Sequence, residues 1–490
     1  MNRTALTCTT IASLTILASA AMIASRVVAG PLDPPVGAVS PTYKTLSEVE
    51  PRIAINSTNT PGGANETYLI SQPGSYYLTG NITMTSGKHA IAVSSADVSI
   101  DLNGYTITGV SGASYGVVGY SGVGRIMVRN GAFRSGPYLS ISIGADSLVE
   151  NVMAIQASTS VDAINVGDRS VVRNCRVSTA GAAVNVGNQC VVEGLTATSV
   201  VSGVNALNKV DVVVRDCSMT CAGSGTGVYG QNRISVARCQ FQGFVFGVAA
   251  SDYAVVEDCR VSGGTVGVYV GNNSAVRRVQ VQTMTSQGVS VGDASVLEGV
   301  DARSCTANGI TVASDCVLTR CNVSGGASSG FVGISRNTFV ECISAKNTAG
   351  SGFVVGDSNI FETCRADENT GDGFNGRFGN VWRDCTARSN SGDGVEGSSG
   401  TVVLSGRFDS NGNGATVGAN IRLTGDAGRI EGNTLISADY GIQTTSGGNV
   451  IIRNSSRNSA NNYGGISAGN DVGPIGSAAT ATSPWANIQY

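Results

Sequence analysis

Charge is scarce in this 490-residue chain. Asp, Glu, Lys and Arg together make 13% of it, about half the usual share, and the formal net charge is −3. This argues against nucleic acid as a partner, because the basic stripe that holds phosphates is missing. Aromatic residues are 6%, with only two tryptophans. Ten prolines accompany 66 glycines, which excludes collagen and Pro-rich linkers. A single histidine, His89, and the lack of any Cys-x-x-Cys pair argue against a zinc site. Beyond the N-terminus no apolar run is long enough to cross a bilayer as a helix. So little charge in so long a chain implies that Ser, Thr, Asn and Gly face water, as they do in stacked, turn-rich architectures.

The N-terminus reads as an export signal over residues 1–29. Arg3 gives a weak basic start, Ile11 to Ala24 an apolar stretch, and the small residues near Ala20 or Ala29 a cleavage point. The chain is therefore expected to be secreted or held at the cell surface. Residues 30–80 are expected to form an N-terminal cap, with a capping box at Thr45 to Glu48. Residues 466–490 are expected to cap the far end, anchored by Trp485 and Tyr490.

Between the caps lies a repeat. Val172-Arg173-Asn174-Cys175-Arg176-Val177, Val256-Glu257-Asp258-Cys259-Arg260-Val261 and Leu318-Thr319-Arg320-Cys321-Asn322-Val323 are three copies. The leading apolar position recurs from 172 to 382 in ten steps, a mean of (382 − 172)/10 = 21 residues. Seven to ten residues after each Cys position comes Gly plus an apolar residue, as in "GVYVG" (267–271) and "GFVVG" (352–356). Alternation with period two marks strands, and the polar pair between inward positions marks a corner, where glycine is expected to supply positive φ. Strands joined by such corners every 21 residues give an all-β parallel solenoid of about 16 coils, each adding ~4.8 Å.

Three columns follow from that ruler. Cys175, Cys217, Cys239, Cys259, Cys321, Cys342, Cys364 and Cys385 share an inward site that Val279 and Val300 fill elsewhere. They read as small hydrophobes rather than disulfide partners. Corner charges alternate in sign up the stack, as in Asp216, Arg238, Asp258, Arg278, so most acids pair with an arginine one coil away. Asn347, Asn369, Asn390 and Asn411 read as a ladder of stacked amides.

The repeated "GDGF" (371–374) and "GDGV" (392–395), the "GV-x-V" elements and "ADVSIDLNGYTITG" (96–109) resemble the right-handed parallel β-helix proteins of the pectin-lyase-like superfamily. The resemblance covers roughly residues 81–465. It implies a right-handed, single-stranded parallel β-helix and leaves activity open, because that superfamily holds lyases, hydrolases, epimerases and non-enzymatic proteins. The adjacent aspartates and Gly-His-Gly of polygalacturonases are missing, as is the Arg-x-Pro-x-x-Arg element of pectate lyases. Lys88-His89 reads as an edge turn.

One pair of acids lacks a cation in the ruler. Asp372 and Asp393 lie one coil apart at equivalent points. As Asp before Gly they are ordinary turn residues that tolerate left-handed geometry. As stacked like charges they are a candidate ion or ligand site, with Ca²⁺ the cation that carboxylates and carbonyls suit. No other cofactor is implied. The expected function is binding of a polysaccharide or another extracellular surface. The alternatives are a polysaccharide lyase or glycoside hydrolase, and a structural or adhesive component without catalysis. A groove holding unpaired acids with Arg or Lys marks the enzyme. Exposed aromatic platforms mark the binder, and neither marks the structural component.

Overall fold

The computed structural model describes residues 51–490 apart from 137–138, 157–159, 179, 222 and 413–416. The export signal and the capping box at Thr45 to Glu48 lie outside the described residues. Arg52–Tyr490 forms one body, built of strands, with a single short helical turn among the described residues, at Tyr120–Gly122. Among the described residues no helix is long and apolar enough to cross a membrane.

Most coils carry three short strands; in two, Ile126–Gly136 and Leu148–Gln156, one longer strand runs through the first two ladders. One coil has Val255–Glu257, Arg260–Ser262 and Val266–Val270. Strands within the rod pair in parallel with their equivalents one coil before and after. Val256 pairs with Val236 and Val276, Val261 with Phe241 and Val281, Val268 with Val248 and Val289. Three parallel ladders result, called here the first, second and third. The third holds eighteen strands, from Glu66–Ile70 to Tyr440–Thr444.

The solenoid has about 19 turns, not 16, and spans roughly 90 Å at ~4.8 Å per coil. The additional turns lie at the ends. Ile53–Ile55 already pairs with Tyr76–Leu78, inside the segment expected to be a cap. At the far end Ser455 pairs with Ile488 across a long excursion. Such pairings depart from the 21-residue step, so periodicity does not reveal them. Tyr463 and Asn487 are the buried anchors of that end. Trp485 and Tyr490 stay 48% and 68% exposed, and the Arg453 guanidinium lies 4.2 Å over the Trp485 ring.

Inward side chains stack on their own kind. Phe331, Phe353 and Phe374 form one column with ring centroids 4.6 and 4.9 Å apart, and Phe339 lies 4.5 Å from Phe361 in the next. The two columns meet edge to face, an arrangement that aromatic quadrupoles favour. The eight cysteines of the ruler are buried and free. Their thiols also bond the corner: Cys217 Sγ lies 3.0 Å from the Arg215 carbonyl and Cys259 Sγ 3.2 Å from that of Glu257. A valine at that site fills the volume but leaves that carbonyl without the donor.

The corner itself departs from expectation. The residue before each Cys is left-handed, but glycine seldom holds the place. Asn174, Asp216, Arg238, Asp258 and Arg320 all have φ between 52° and 56°. The ladder bonds on both sides over-determine the backbone there and sustain a conformation that a lone turn would not. These side chains then form the expected ion pairs: Arg238 with Asp216 at 2.7 Å, Arg278 with Asp258 at 2.6 Å, Arg320 with Glu298 at 2.6 Å. A second stack, Arg233 with Asp211 and Arg336 with Asp315, lines the corner after the third ladder.

The asparagine ladder is present and fully buried. Asn347 donates to Asn369 at 2.8 Å, Asn369 to Asn390 and Asn390 to Asn411 at 2.9 Å. Two further ladders exist, through Asn337, Asn359 and Asn380 and through Asn433, Asn454 and Asn487.

Candidate functional site: an acidic notch on the third ladder

Asp372 and Asp393 each lie two residues before a third-ladder strand, Phe374–Gly376 and Val395–Gly397. Phe374 pairs with Val395, so the two aspartates are stacked. Neither is left-handed, against the turn reading. Their carboxylates instead receive the backbone of the next coil. Asp372 Oδ1 accepts the Asp393 N–H at 2.8 Å, and Asp393 Oδ1 accepts the Ala419 N–H at 2.6 Å. Ser351 starts the column by accepting the Asp372 N–H at 3.0 Å.

The glycines on either side have separate steric tasks. A Cβ on Gly392 would lie 2.3 Å from Asp372 Oδ1, so the first glycine admits the carboxylate of the coil beneath. A Cβ on Gly373 would lie 2.6 Å from the Gly394 carbonyl, so the second lets adjacent coils close up. The motif thus recurs every 21 residues because each copy seats the next.

The remaining carboxylate oxygens meet a third acid. Glu396 projects outward from its strand, and Asn375 bridges Asp372 Oδ2 and Glu396 Oε2 at 2.8 Å each. Asp372, Asp393 and Glu396 each offer an oxygen within 4.8 Å of the others. One cation adjoins them: Arg422 Nε lies 2.9 Å from Asp393 Oδ2, in ion-pair contact but not aligned as a hydrogen bond. Among the described residues no cation is in ion-pair contact with Asp372 or Glu396. Many corner acids elsewhere in the rod pair with an arginine, whereas this notch brings three acids together with one arginine.

Burial pushes the Asp393 carboxyl up to about 7, helped by Asp372 and Glu396 and opposed by the Ala419 N–H and Arg422. Burial and Asp372 raise Glu396 as well. Near neutral pH the notch therefore holds a proton it can give or take. The oxygens fit a hard divalent cation such as Ca²⁺, which takes carboxylates and carbonyls in flexible geometry.

Glu396 and Arg422 escape the sequence reading for different reasons. Asp372-x-x-Asn375 and Asp393-x-x-Glu396 share one spacing, and that signal was legible. Arg422 was not, because Val395 pairs with Ile421, a 26-residue coil that breaks the ruler. The extra length falls around Gly412 and Gly418, beside the notch. His89 is also not in an edge turn. It opens the third-ladder strand His89–Val93 opposite Glu66, beside the Tyr115 and Tyr120 rings. Thirteen coils, roughly 60 Å, separate it from Asp372.

Residues 266–420 match the family model described as right handed beta helix region. The fold is a right-handed parallel β-helix. Among solved structures, this β-helix is similar to the A-module of a mannuronan C-5 epimerase from Azotobacter vinelandii, at 14% identity over 85% of this chain and 91% of that one, TM-score 0.27. It is similar to the catalytic domain of a GH87 alpha-1,3-glucanase at 11% identity, covering 60% and 68%, TM-score 0.34. It is similar to a pectate lyase at 18% identity, covering 54% and 66%, TM-score 0.26. No curated protein matches the sequence.

Proposed function

We propose that this β-helix, exported by residues 1–29, binds a polysaccharide on the outward face of its third ladder, at the notch of Asp372, Asp393 and Glu396. The observation that carries this reading is the unbalanced charge: three carboxylates converge on an open sheet face with one arginine between them. Masonry does not require such a cluster, since aspartates such as Asp252 and Asp293 each seat the next coil with no further acids gathered beside them. Carboxylates accept sugar hydroxyls in charge-assisted hydrogen bonds, while Asn375 and Arg422 supply donors beside them. Where the polymer carries uronate groups, Ca²⁺ on the same oxygens bridges the two sets of carboxylates.

A second reading, cleavage of the bound polymer, is favoured by the Asp393 carboxyl, which burial pushes up to about 7. Cleavage presupposes binding, so one experiment addresses both. Polygalacturonate, alginate, hydroxyethylcellulose and glucomannan are embedded in native gels, with calcium and with chelator, and the retardation of the protein is measured. Release of reducing ends is followed in parallel. The expected outcome is retardation by one polymer, lost in a D372N/D393N/E396Q variant whose melting temperature is not lowered. No retardation by any polymer sinks the binding reading. Reducing-end release lost in the same variant makes the notch an active site.

A further inference from the structure

A different part of the same face carries aromatic rings that the core does not use. The outward middle position of the third ladder reads Asn185, Asn205, Tyr229, Ala249, Tyr269, Ser290 in successive coils. Tyr229 is 40% and Tyr269 51% exposed. Asparagine and serine hold the same place in neighbouring coils, so packing does not call for tyrosine. Phe246 stands edge-on to Tyr269, ring centroids 6.1 Å apart at 67°, and props that ring against the sheet. The ten third-ladder strands from Ile164–Val166 to Phe353–Val355 contain no charged residue. A flat, neutral, partly aromatic strip thus runs up to the acidic notch.

A strip without charge has nothing to attract a polyanion, a nucleic acid or a lipid headgroup. Tyrosine presents an apolar ring body with a polar tip, which matches the C–H face and the hydroxyls of a pyranose. Tyr229 and Tyr269 are two coils, ~9.6 Å, apart, close to the length of two pyranose units in an extended glycan.

We infer that Tyr229, Phe246 and Tyr269 form a second binding site, a stacking platform for the pyranose rings of a linear glycan lying along the rod toward the notch. The direction toward the notch rests on the binding reading above; the platform itself does not. Five coils, ~24 Å, lie between Tyr269 and Asn375, so one extended chain reaches both.

The test uses the full-length protein and the same four polymers. A Y229A/Y269A variant is compared with wild type and with the notch variant by gel retardation in low and high salt. Sedimentation velocity and melting temperature are read alongside. The expected result is an unchanged melting temperature and at least tenfold weaker binding of the polymer the wild type retains, with the lost part insensitive to salt and chelator. Retention unaffected by Y229A/Y269A but lost in the notch variant overturns the platform and leaves the notch standing. Binding lost in neither variant overturns both. A change of sedimentation coefficient with unchanged glycan binding also overturns the platform, since the rings then pack copies of this chain together.

Discussion

At the scale of single residues, one carboxyl stands apart. Asp393 has a 5% exposed side chain, and its burial holds the proton to about pH 7. An unfolded aspartate releases its proton near ~3.9. Between these values the folded state binds more protons than the unfolded one, so stability falls as pH rises from about 4 to about 7 and is flat above. Three pH units correspond to a loss of up to about 4 kcal/mol at full effect. An Asp393→Asn variant keeps the acceptor for the Ala419 N–H and removes the titration. Its melting temperature should therefore decline less across that range than the wild type's, with Glu396 still titrating in both; matching slopes would contradict the assignment. Calcium added at pH 7.5 should raise the melting temperature of the wild type, which then needs no proton there, and leave D372N/D393N unchanged. Most of this notch was half-legible beforehand. The 21-residue step put Asp372 over Asp393, but only packing shows how deeply Asp393 is buried and that Arg422 reaches it from an overlong coil.

At the scale of elements, amides and thiols hold the corners more firmly than charges do. Asn369 donates to Asn390 and to the Ser344 carbonyl, and it accepts from the backbone and side chain of Asn347. Asn369→Ala strands several buried polar groups, each costing roughly 1–3 kcal/mol. A loss of about 3 kcal/mol or more in denaturant unfolding is expected. Arg278→Ala breaks an ion pair on the surface, where solvent and salt screen it, and should shift the midpoint far less. Equal shifts would mean that the charge stacks, not the amide ladders, secure the register. The first ladder of asparagines was readable because its members follow the ruler without a break. Those through Asn337 and Asn433 lie at other phases, where turn residues look alike until the hydrogen bonds are seen, and the step from Asn454 to Asn487 leaves the ruler altogether.

At the scale of the whole molecule, each coil touches only its neighbours, so stability is close to a sum over coils and interfaces. Removing one full coil, residues 337–358, joins Arg336 to Asn359 in register. It sets Phe361 on Leu318 and Phe374 on Phe331, and passes the amide bond of Cys316 from Asn337 to Asn359. That protein should fold, with circular dichroism per residue unchanged and a modest drop in melting temperature. Removing only residues 347–358 leaves a broken coil and should yield insoluble protein. If both deletions behave alike, the coil is not the unit of stability.

The local pattern alone determined the parallel solenoid, the inward thiols, the alternating corner charges and one amide ladder. All of these are set by a repeat in which like stacks on like, so spacing along the chain is position in space. The tertiary structure decided what that equivalence does not carry. It placed the end turns, whose pairings leave the 21-residue step, and moved positive φ from glycine to stacked polar residues. It also brought Glu396 and Arg422 to the two aspartates and left Tyr229 and Tyr269 bare. Exposure and uncompensated charge depend on which neighbours are absent, and that is settled only when the coils are stacked.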